Sequence, residues 1–354
     1  MAISDLQKFL KNKYEAVIIF SEVNRRYFTG FPSSDGYLVV TKDDATLFVD
    51  SRYVEAAEKS VTACNVLLFK KASEDIKNYL KEKSVIKAYT ERNHISVSTA
   101  DFLKTAFLPC RVTPSKKLEK AIDESRITKT DYEIESIKAA QKIAEDAFDH
   151  ILTFIKPGVT EKQIALELDF YMLSHGAEAI SFETIAVTGQ KSSMPHGVPD
   201  DTVVKSGDFI TMDFGAVVNG YHSDMTRTVA VGEVTEEQKL VYETVLTAQR
   251  SALAFLKAGL DCCEADKAAR QVIEDAGYGD YFGHSTGHGV GVEIHEAPTL
   301  APKSKGALQV GNVVTIEPGI YLPGKFGVRI EDMALITENG FENLTTTPKE
   351  LIIL

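Results

Sequence analysis

Apolar residues recur along this chain in two rhythms. Short compact runs alternate with longer stretches in which they return every three or four positions. The runs AVIIF (16–20), GYLVV (36–40), TLFVD (46–50), NVLLF (65–69) and VIKAYT (85–90) read as strands. The second and third flank a turn at 41–45 and predict a hairpin. Between the runs lie helical stretches: one capped by Ser4 or Asp5 and running to residue 13, then 24–29 ended by Gly30, 52–60, 74–83 and 96–106. Strand and helix alternate over roughly the first 120 residues, which predicts an α/β domain with a mixed sheet.

The pattern changes after a basic stretch, PSKKLEK (114–120), which reads as a connector. Ile134, Ile137, Ala140, Ile143, Ala147 and Ile151 then form the apolar stripe of one long helix. We place a domain boundary near Ser125, giving domains 1–125 and 126–354; a chain of 354 residues is long for one domain. Pro157-Gly158 ends the long helix, and the capping box Thr160/Gln163 opens the next, to His175. FIKPGVTEKQ (154–163) resembles FLKAGLDCCE (255–264) at an offset of 101, and Gly176 and Gly277 share that offset. A second capping box, Thr235/Gln238, opens the helix before the second copy. Each half therefore reads helix, glycine turn, helix, strands, and chemistry on the strands of one half should return about 100 residues later in the other.

Such chemistry lies in MDFGAVVNGYHSD (212–224). Asn-Gly is the strongest two-residue hairpin signal, and a turn at Asn219-Gly220 pairs positions whose numbers sum to 439. Asp213 then faces Thr226, and Asp224 faces Gly215. The two aspartates project from one face, roughly 7–8 Å apart at Cα. They repel, with no cation between them in this stretch; a bound divalent ion would resolve the repulsion, and a solvated hairpin face is the alternative. The repeat supplies counterparts: Glu317 and Glu331, at offsets of 104 and 107, sit in two β-rich runs around a turn near Gly324. Folded about an internal two-fold, the four carboxylates would converge.

Between these acidic strands lies GHSTGHGVGVEIHEAP, with His284, His288 and His295. Its glycines argue against a zinc-binding helix, and their order is not a dinucleotide fingerprint. It reads as a glycine-rich turn leading into a strand. Four carboxylates and an imidazole suit two divalent ions of the Mn, Fe, Co or Zn type better than Ca. Two such ions about 3.5–4 Å apart activate water and polarise a carbonyl, which is hydrolytic chemistry. No G-x-S-x-G elbow is present, and Cys262-Cys263 lies on a helical stretch without an evident base. Cys64, Cys110, Cys262 and Cys263 show neither disulfide-framework nor metal-pair spacing, which points to reduced thiols and a cytoplasmic protein. A hydrophobic fraction of 44% is that of a globular chain, and a net charge of −12 makes nucleic acid and anionic membranes poor partners. No apolar run approaches the length of a membrane span.

MDFGAVVNGYHSDMTRT, GHSTGHGVGVEIHEAP, TIEPGIY and GVRIEDM together resemble the pita-bread metallo-exopeptidases, most of all the Xaa-Pro dipeptidases (prolidases) and Xaa-Pro aminopeptidases. NRRYFTGF, VDSRY and SRITKTDYEIESIKAA resemble the family's N-terminal domain and interdomain junction, so the likeness covers the whole chain. It implies a creatinase-like α/β N-terminal domain and an α+β pita-bread catalytic domain with an internal pseudo-two-fold repeat. By the resemblance, Asp213 holds one metal, His288 and Glu317 the second, and Asp224 and Glu331 bridge both. Glu317 would act as general base, and His196 would stand near the scissile carbonyl or leaving group. His295 would stand near the tetrahedral intermediate, Arg329 beside the bridging Glu331, and His284 in support. The implied cofactors are two divalent ions, Mn before Co, Fe or Zn. The implied substrates are peptides with proline second, and the implied assembly is a homodimer. Two other readings of the same fold are a metal-free creatinase-like amidinohydrolase and a non-catalytic peptide- or histone-binding module; the intact ligand set argues against both.

Overall fold

The computed structural model describes residues 3–354, and its contacts separate Met1–Arg126 from Ile127–Leu354. In chain order the first unit comprises α1 (Ile3–Phe9), β1 (Glu15–Ile19), α2 (Glu22–Thr29), β2 (Tyr37–Thr41), β3 (Ala45–Val49) and α3 (Val54–Ser60). It continues with β4 (Asn65–Leu68), α4 (Ala72–Glu82), β5 (Lys87–Thr90), α5 (Val97–Ala106), β6 (Arg111–Pro114) and α6 (Lys116–Ile127). The strands form one mixed sheet in the order β4-β3-β2-β1-β5-β6, with β1–β2 and β2–β3 antiparallel and the other pairs parallel. Every residue of β1 and β3 is buried, as central strands covered on both faces must be. Ser21 and Ser96 cap α2 and α5 by accepting the Asn24 and Thr99 N–H, and Gly30 ends α2 in the left-handed conformation.

Two local expectations need correcting here. The first helix stops at Phe9 and is already under way at Ser4 and Asp5, so neither residue caps it. The basic stretch 114–120 is not a connector: Pro114 ends β6, and α6 begins at Lys116. Ser115 Oγ accepts the Leu118 N–H at 3.2 Å, and Leu118, Ile122 and Arg126 form a buried stripe at four-residue spacing. The lysines on its outer side concealed that stripe in the sequence.

The second unit begins with α7 (Asp131–Phe154) and α8 (Glu161–Ser174), followed by β7 (Ala179–Ile180), β8 (Ile185–Thr188), β9 (Phe209–Phe214), β10 (Ala216–Val218), β11 (Tyr221–His222) and β12 (Met225–Ala230). It then repeats helices, α9 (Glu236–Phe255) and α10 (Cys262–Asp275), before β13 (Gly287–Gly289), β14 (Glu296–Leu300), β15 (Val313–Ile316), β16 (Gly319–Leu322), β17 (Phe326–Arg329), β18 (Asp332–Ile336) and β19 (Phe341–Asn343). The repeat is physical. Gly158 N–H bonds Val204 O at 3.0 Å, and Gly259 N–H bonds Leu308 O at 2.8 Å, in matching places after α7 and α9. Capping boxes open α8 and α9 as expected. Each helix pair has its own core: α7 and α8 bury Ile151, Ile164 and Leu168 with Ile210, Met212 and Phe214, while α9 and α10 bury Val245, Ala269 and Ile273 with Val314, Ile316 and Ala334.

Each half also carries one long hairpin. Asn219 and Gly220 both have positive φ, 53° and 80°, as a type I′ turn requires. The pairs Val218↔Tyr221, Val217↔His222, Met225↔Phe214 and Thr226↔Asp213 all keep the register the turn implies. The ladder is interrupted at Gly215, where a Cβ would strike the Ser223 carbonyl. In the second half Leu322↔Phe326, Gly319↔Arg329 and Ile316↔Asp332 share one register around Gly324, which sets Glu317 opposite Glu331 at the break between the two ladders.

Arg227 on β12 fastens this frame. It is almost fully buried and donates to Asp332 (2.8 Å), Glu331 O (2.6 Å), Thr347 O (2.8 Å) and Pro348 O (3.0 Å). Removing one partner of a buried pair strands the other charge, so Arg227→Met is expected to destabilise the second unit by about 3–5 kcal/mol. The check is urea unfolding of the metal-free protein; a loss below about 1 kcal/mol would contradict this account of Arg227.

Candidate metal centre

The two hairpins and β13 bring Asp224, His288 and Glu331 together, with one ligand atom of each within 4.8 Å of the others. His288 Nε2 lies 3.5 Å from Asp224 Oδ2 and 3.5 Å from Glu317 Oε1. The imidazole Nδ1 lies 3.1 Å from Gly289 O and so carries the proton, leaving Nε2 with a lone pair toward the carboxylates. Burial lowers the His288 pKa to about 4, in keeping with a neutral ring.

Asp213 joins through Arg329. The guanidinium donates to Asp213 Oδ2 (2.6 Å), Thr226 Oγ1 (3.0 Å), Tyr321 Oη (2.9 Å) and Pro195 O (3.2 Å). Thr226 in turn donates to Glu331 Oε2 at 2.7 Å. Each acid thus has one oxygen engaged. The other, Asp213 Oδ1 and Glu331 Oε1, is buried with no hydrogen-bond partner. A buried, unpartnered carboxylate oxygen is costly unless a cation meets it. Burial raises Asp224 well above the usual carboxylate range, reinforced by Glu331, Asp213 and Glu317. Burial also raises Glu331, with Glu317 and Asp213 adding to it. Glu317 is pushed up by burial to about 8, with Arg329 opposing and Asp213 reinforcing. Crowded acids with two unused oxygens beside a lone-pair nitrogen fit divalent metal of the oxygen/nitrogen class.

The remaining candidates stand around this cluster. His295 is exposed, its ring edge-on to His288 at 4.4 Å and 70°. His196 is exposed and follows the Pro195 carbonyl that Arg329 holds. His284 accepts from Tyr321 through Nε2 at 2.9 Å and donates through Nδ1 to Ser285 O at 2.8 Å. Burial and then Arg329 lower its pKa to about 4, so it stays neutral. Two residues of this network, Thr226 and Tyr321, were not singled out in the sequence. The signal for Thr226 was the register that sets it opposite Asp213. For Tyr321 it was the pairing of Gly319 with Arg329, which puts Tyr321 one diagonal step from the arginine.

Comparison with known proteins agrees with this geometry. Residues 135–338 match the model of metallopeptidase family M24, and residues 3–128 that of the creatinase/prolidase N-terminal domain. An Xaa-Pro dipeptidase of Pyrococcus furiosus is 41% identical over 352 residues, 99% of each chain. The structure of an Xaa-Pro dipeptidase from Bacillus anthracis superposes with a TM-score of 0.95 at 41% identity, covering 99% of both chains. An X-Pro aminopeptidase from Thermotoga maritima gives 0.92 at 36% identity, covering 96% of this chain and 98% of that one.

Raised carboxyl pKa values carry a sign. A folded-state pKa of about 8 for Glu317, against an ordinary 4.5, means the native metal-free site binds a proton that the unfolded chain has released. That contribution is full below about 4.5 and is lost as pH rises through about 8. Buried, neutral His284 and His288, at about 4 against an ordinary 6.5, give the opposite slope up to about pH 6.5. Metal-free protein is therefore expected to lose stability between about pH 6.5 and pH 8, and saturating divalent metal to remove that loss. Thermal unfolding across this range checks it; metal-free stability that rises toward pH 8 would contradict it.

Proposed function

The chain belongs to metallopeptidase family M24, and on that footing we propose that it hydrolyses the bond between an N-terminal residue and a following proline. The activity is that of a metal-dependent Xaa-Pro exopeptidase, carried by the domain we place at 126–354 behind a creatinase-like domain at 1–125. The observation that carries this reading is the pair of buried carboxylate oxygens, Asp213 Oδ1 and Glu331 Oε1, left without a donor in a cluster that also presents His288 Nε2. In our reading Asp213, Asp224, His288, Glu317 and Glu331 would hold two divalent ions, manganese before cobalt, iron or zinc. Such a pair supplies Lewis acidity to the scissile carbonyl and acidifies the attacking water.

The chain's own residues do the rest. Glu317 takes the proton of the attacking water and returns it to the leaving nitrogen. His295, beside His288, donates to the oxygen on which charge develops, and His196 faces the leaving-group side. Arg329 holds Asp213 directly and Glu331 through Thr226, while Tyr321 and neutral His284 hold Arg329. The leaving nitrogen is proline's, which has no N–H in the peptide; a peptidase that must grip that N–H cannot use the bond. We further read the protein as a cytoplasmic homodimer acting on peptides, without nucleic-acid or membrane partners. The net charge of −12 disfavours nucleic acid and anionic membrane surfaces, and among the described residues no helix is long and apolar enough to cross a membrane.

The test is hydrolysis of Ala-Pro beside Ala-Pro-Ala, after chelation and again with Mn²⁺. Metal-dependent release of alanine is expected. Cleavage of the dipeptide alone makes the protein a dipeptidase, and release of Pro-Ala from the tripeptide makes it an aminopeptidase on longer chains. No cleavage with metal bound would overturn the proline specificity, and no cleavage without metal binding would favour a binding module. Asp224→Asn is expected to lower activity by more than the roughly 100-fold typical of losing a supporting hydrogen bond at a metal site. Normal turnover in that variant would remove Asp224 from the ligand set.

A further inference from the structure

His295 is exposed, yet its ring stands in a defined place against His288. The turn that carries it, residues 291–295, has no regular secondary structure, so something else must hold it. Glu296 does so. Its Oε1 accepts the Glu293 N–H at 3.0 Å, and its Oε2 lies 3.2 Å from Lys129 Nζ. The carboxylate folds back under the turn into the space a Cβ on residue 291 would need, so a larger residue there would push the carboxylate out of its place. The Gly291 N–H closes the turn on Glu293 O at 3.1 Å, and the Gly291 carbonyl accepts the His222 N–H at 2.9 Å.

The Lys129–Glu296 pair is buried, with side chains 1% and 4% exposed, in contrast to the solvated lysine–acid pairs along the outer helices. Lys129 is also fixed by its backbone, which donates to Gly311 O at 2.8 Å immediately before Thr130, the N-cap of α7. Burying an ammonium and a carboxylate costs several kcal/mol before their attraction is counted, and an apolar pair of the same volume often stabilises a fold as well or better. What the ion pair adds is a fixed position for the chain on either side of Glu296. One of those neighbours is His295.

We propose that the buried Lys129–Glu296 ion pair positions His295, locking the 291–296 turn so that the imidazole stands beside His288 and faces the substrate. This rests on the reading of His295 as a substrate-facing group. Lys129 is a positioning residue: among the described residues its side chain pairs with Glu296, and it acts through the turn. A 1 Å misplacement in such a site costs up to about 100-fold in rate.

The test has two parts on the full-length, Mn²⁺-loaded protein. Hydrogen exchange is first compared between wild type and Lys129→Met. Faster exchange confined to the peptide containing 291–296, with Mn²⁺ affinity unchanged, is expected; unchanged exchange in that peptide would overturn the proposal. This part reads without turnover, so it stands even if Xaa-Pro hydrolysis is not observed. The second part is a kinetic cycle on Ala-Pro or Ala-Pro-Ala. Lys129→Met alone should lower kcat/KM by about 10- to 100-fold, and Lys129→Arg should recover most of it. In a His295→Ala background, Lys129→Met should change kcat/KM by less than about 2-fold, because its route to the substrate is already gone. Multiplying losses in that background would mean a general structural role and would overturn the proposal. Glu296→Gln, which keeps shape and removes charge, supplies the same two readouts if Lys129→Met fails to fold.

Discussion

Four carboxylates, Asp213, Asp224, Glu317 and Glu331, share one largely buried site whose internal counter-charge is the Arg329 guanidinium. Like charges at these separations, away from water, force one another toward the protonated form. Most of the second unit can be understood from that constraint. Arg329 takes one oxygen of Asp213 directly and one of Glu331 through Thr226, and turns the remaining two oxygens inward without partners. The metal-free site relieves that repulsion by holding protons, which an entering cation would displace. Divalent metal is then a structural partner of the fold as well as its chemical agent.

Holding four acids against their own repulsion calls for stiff supports. The unit provides two hairpins, one per repeat, each packed on its own pair of helices. The acids stand at or beside the points where the ladders are interrupted, near Gly215 and Asp224 in one half and at Glu317 and Glu331 in the other. An interruption frees the backbone to aim a side chain inward while the register on either side keeps its position. Arg227 then ties the backbone of Glu331 to the C-terminal segment, so the strand that carries Glu331 is anchored there.

Much of this was readable in the chain because short-range rules suffice for it. Asn219-Gly220 admits essentially one turn type, and the turn dictates the pairing of Asp213 with Thr226. The repeat of about 100 residues points from Asp213 and Asp224 to Glu317 and Glu331, at offsets of 104 and 107. Hubs that depend on long-range closure were not readable. The family resemblance names Arg329 only as a neighbour of Glu331; its role as a hub depends on meeting Asp213, 116 positions away, and Thr226, 103 positions away. Thr226 and Tyr321 sit at places the two hairpin registers indicate, but neither residue type by itself marks a site. Lys129 stands in a stretch dense with charge, where nothing marks it as buried, and its side chain is 1% exposed. The stripe of α6 was lost behind its lysines, because outward charge can mask a repeat of only three buried positions.

The most direct measurement of the central claim is a calorimetric titration of chelated protein with Mn²⁺ near pH 7, repeated in two buffers of different ionisation heat. Convergent, partly protonated acids with two unpartnered oxygens should take up two ions per chain and release protons as they do so. Fewer than two equivalents, or uptake without proton release, would contradict the account.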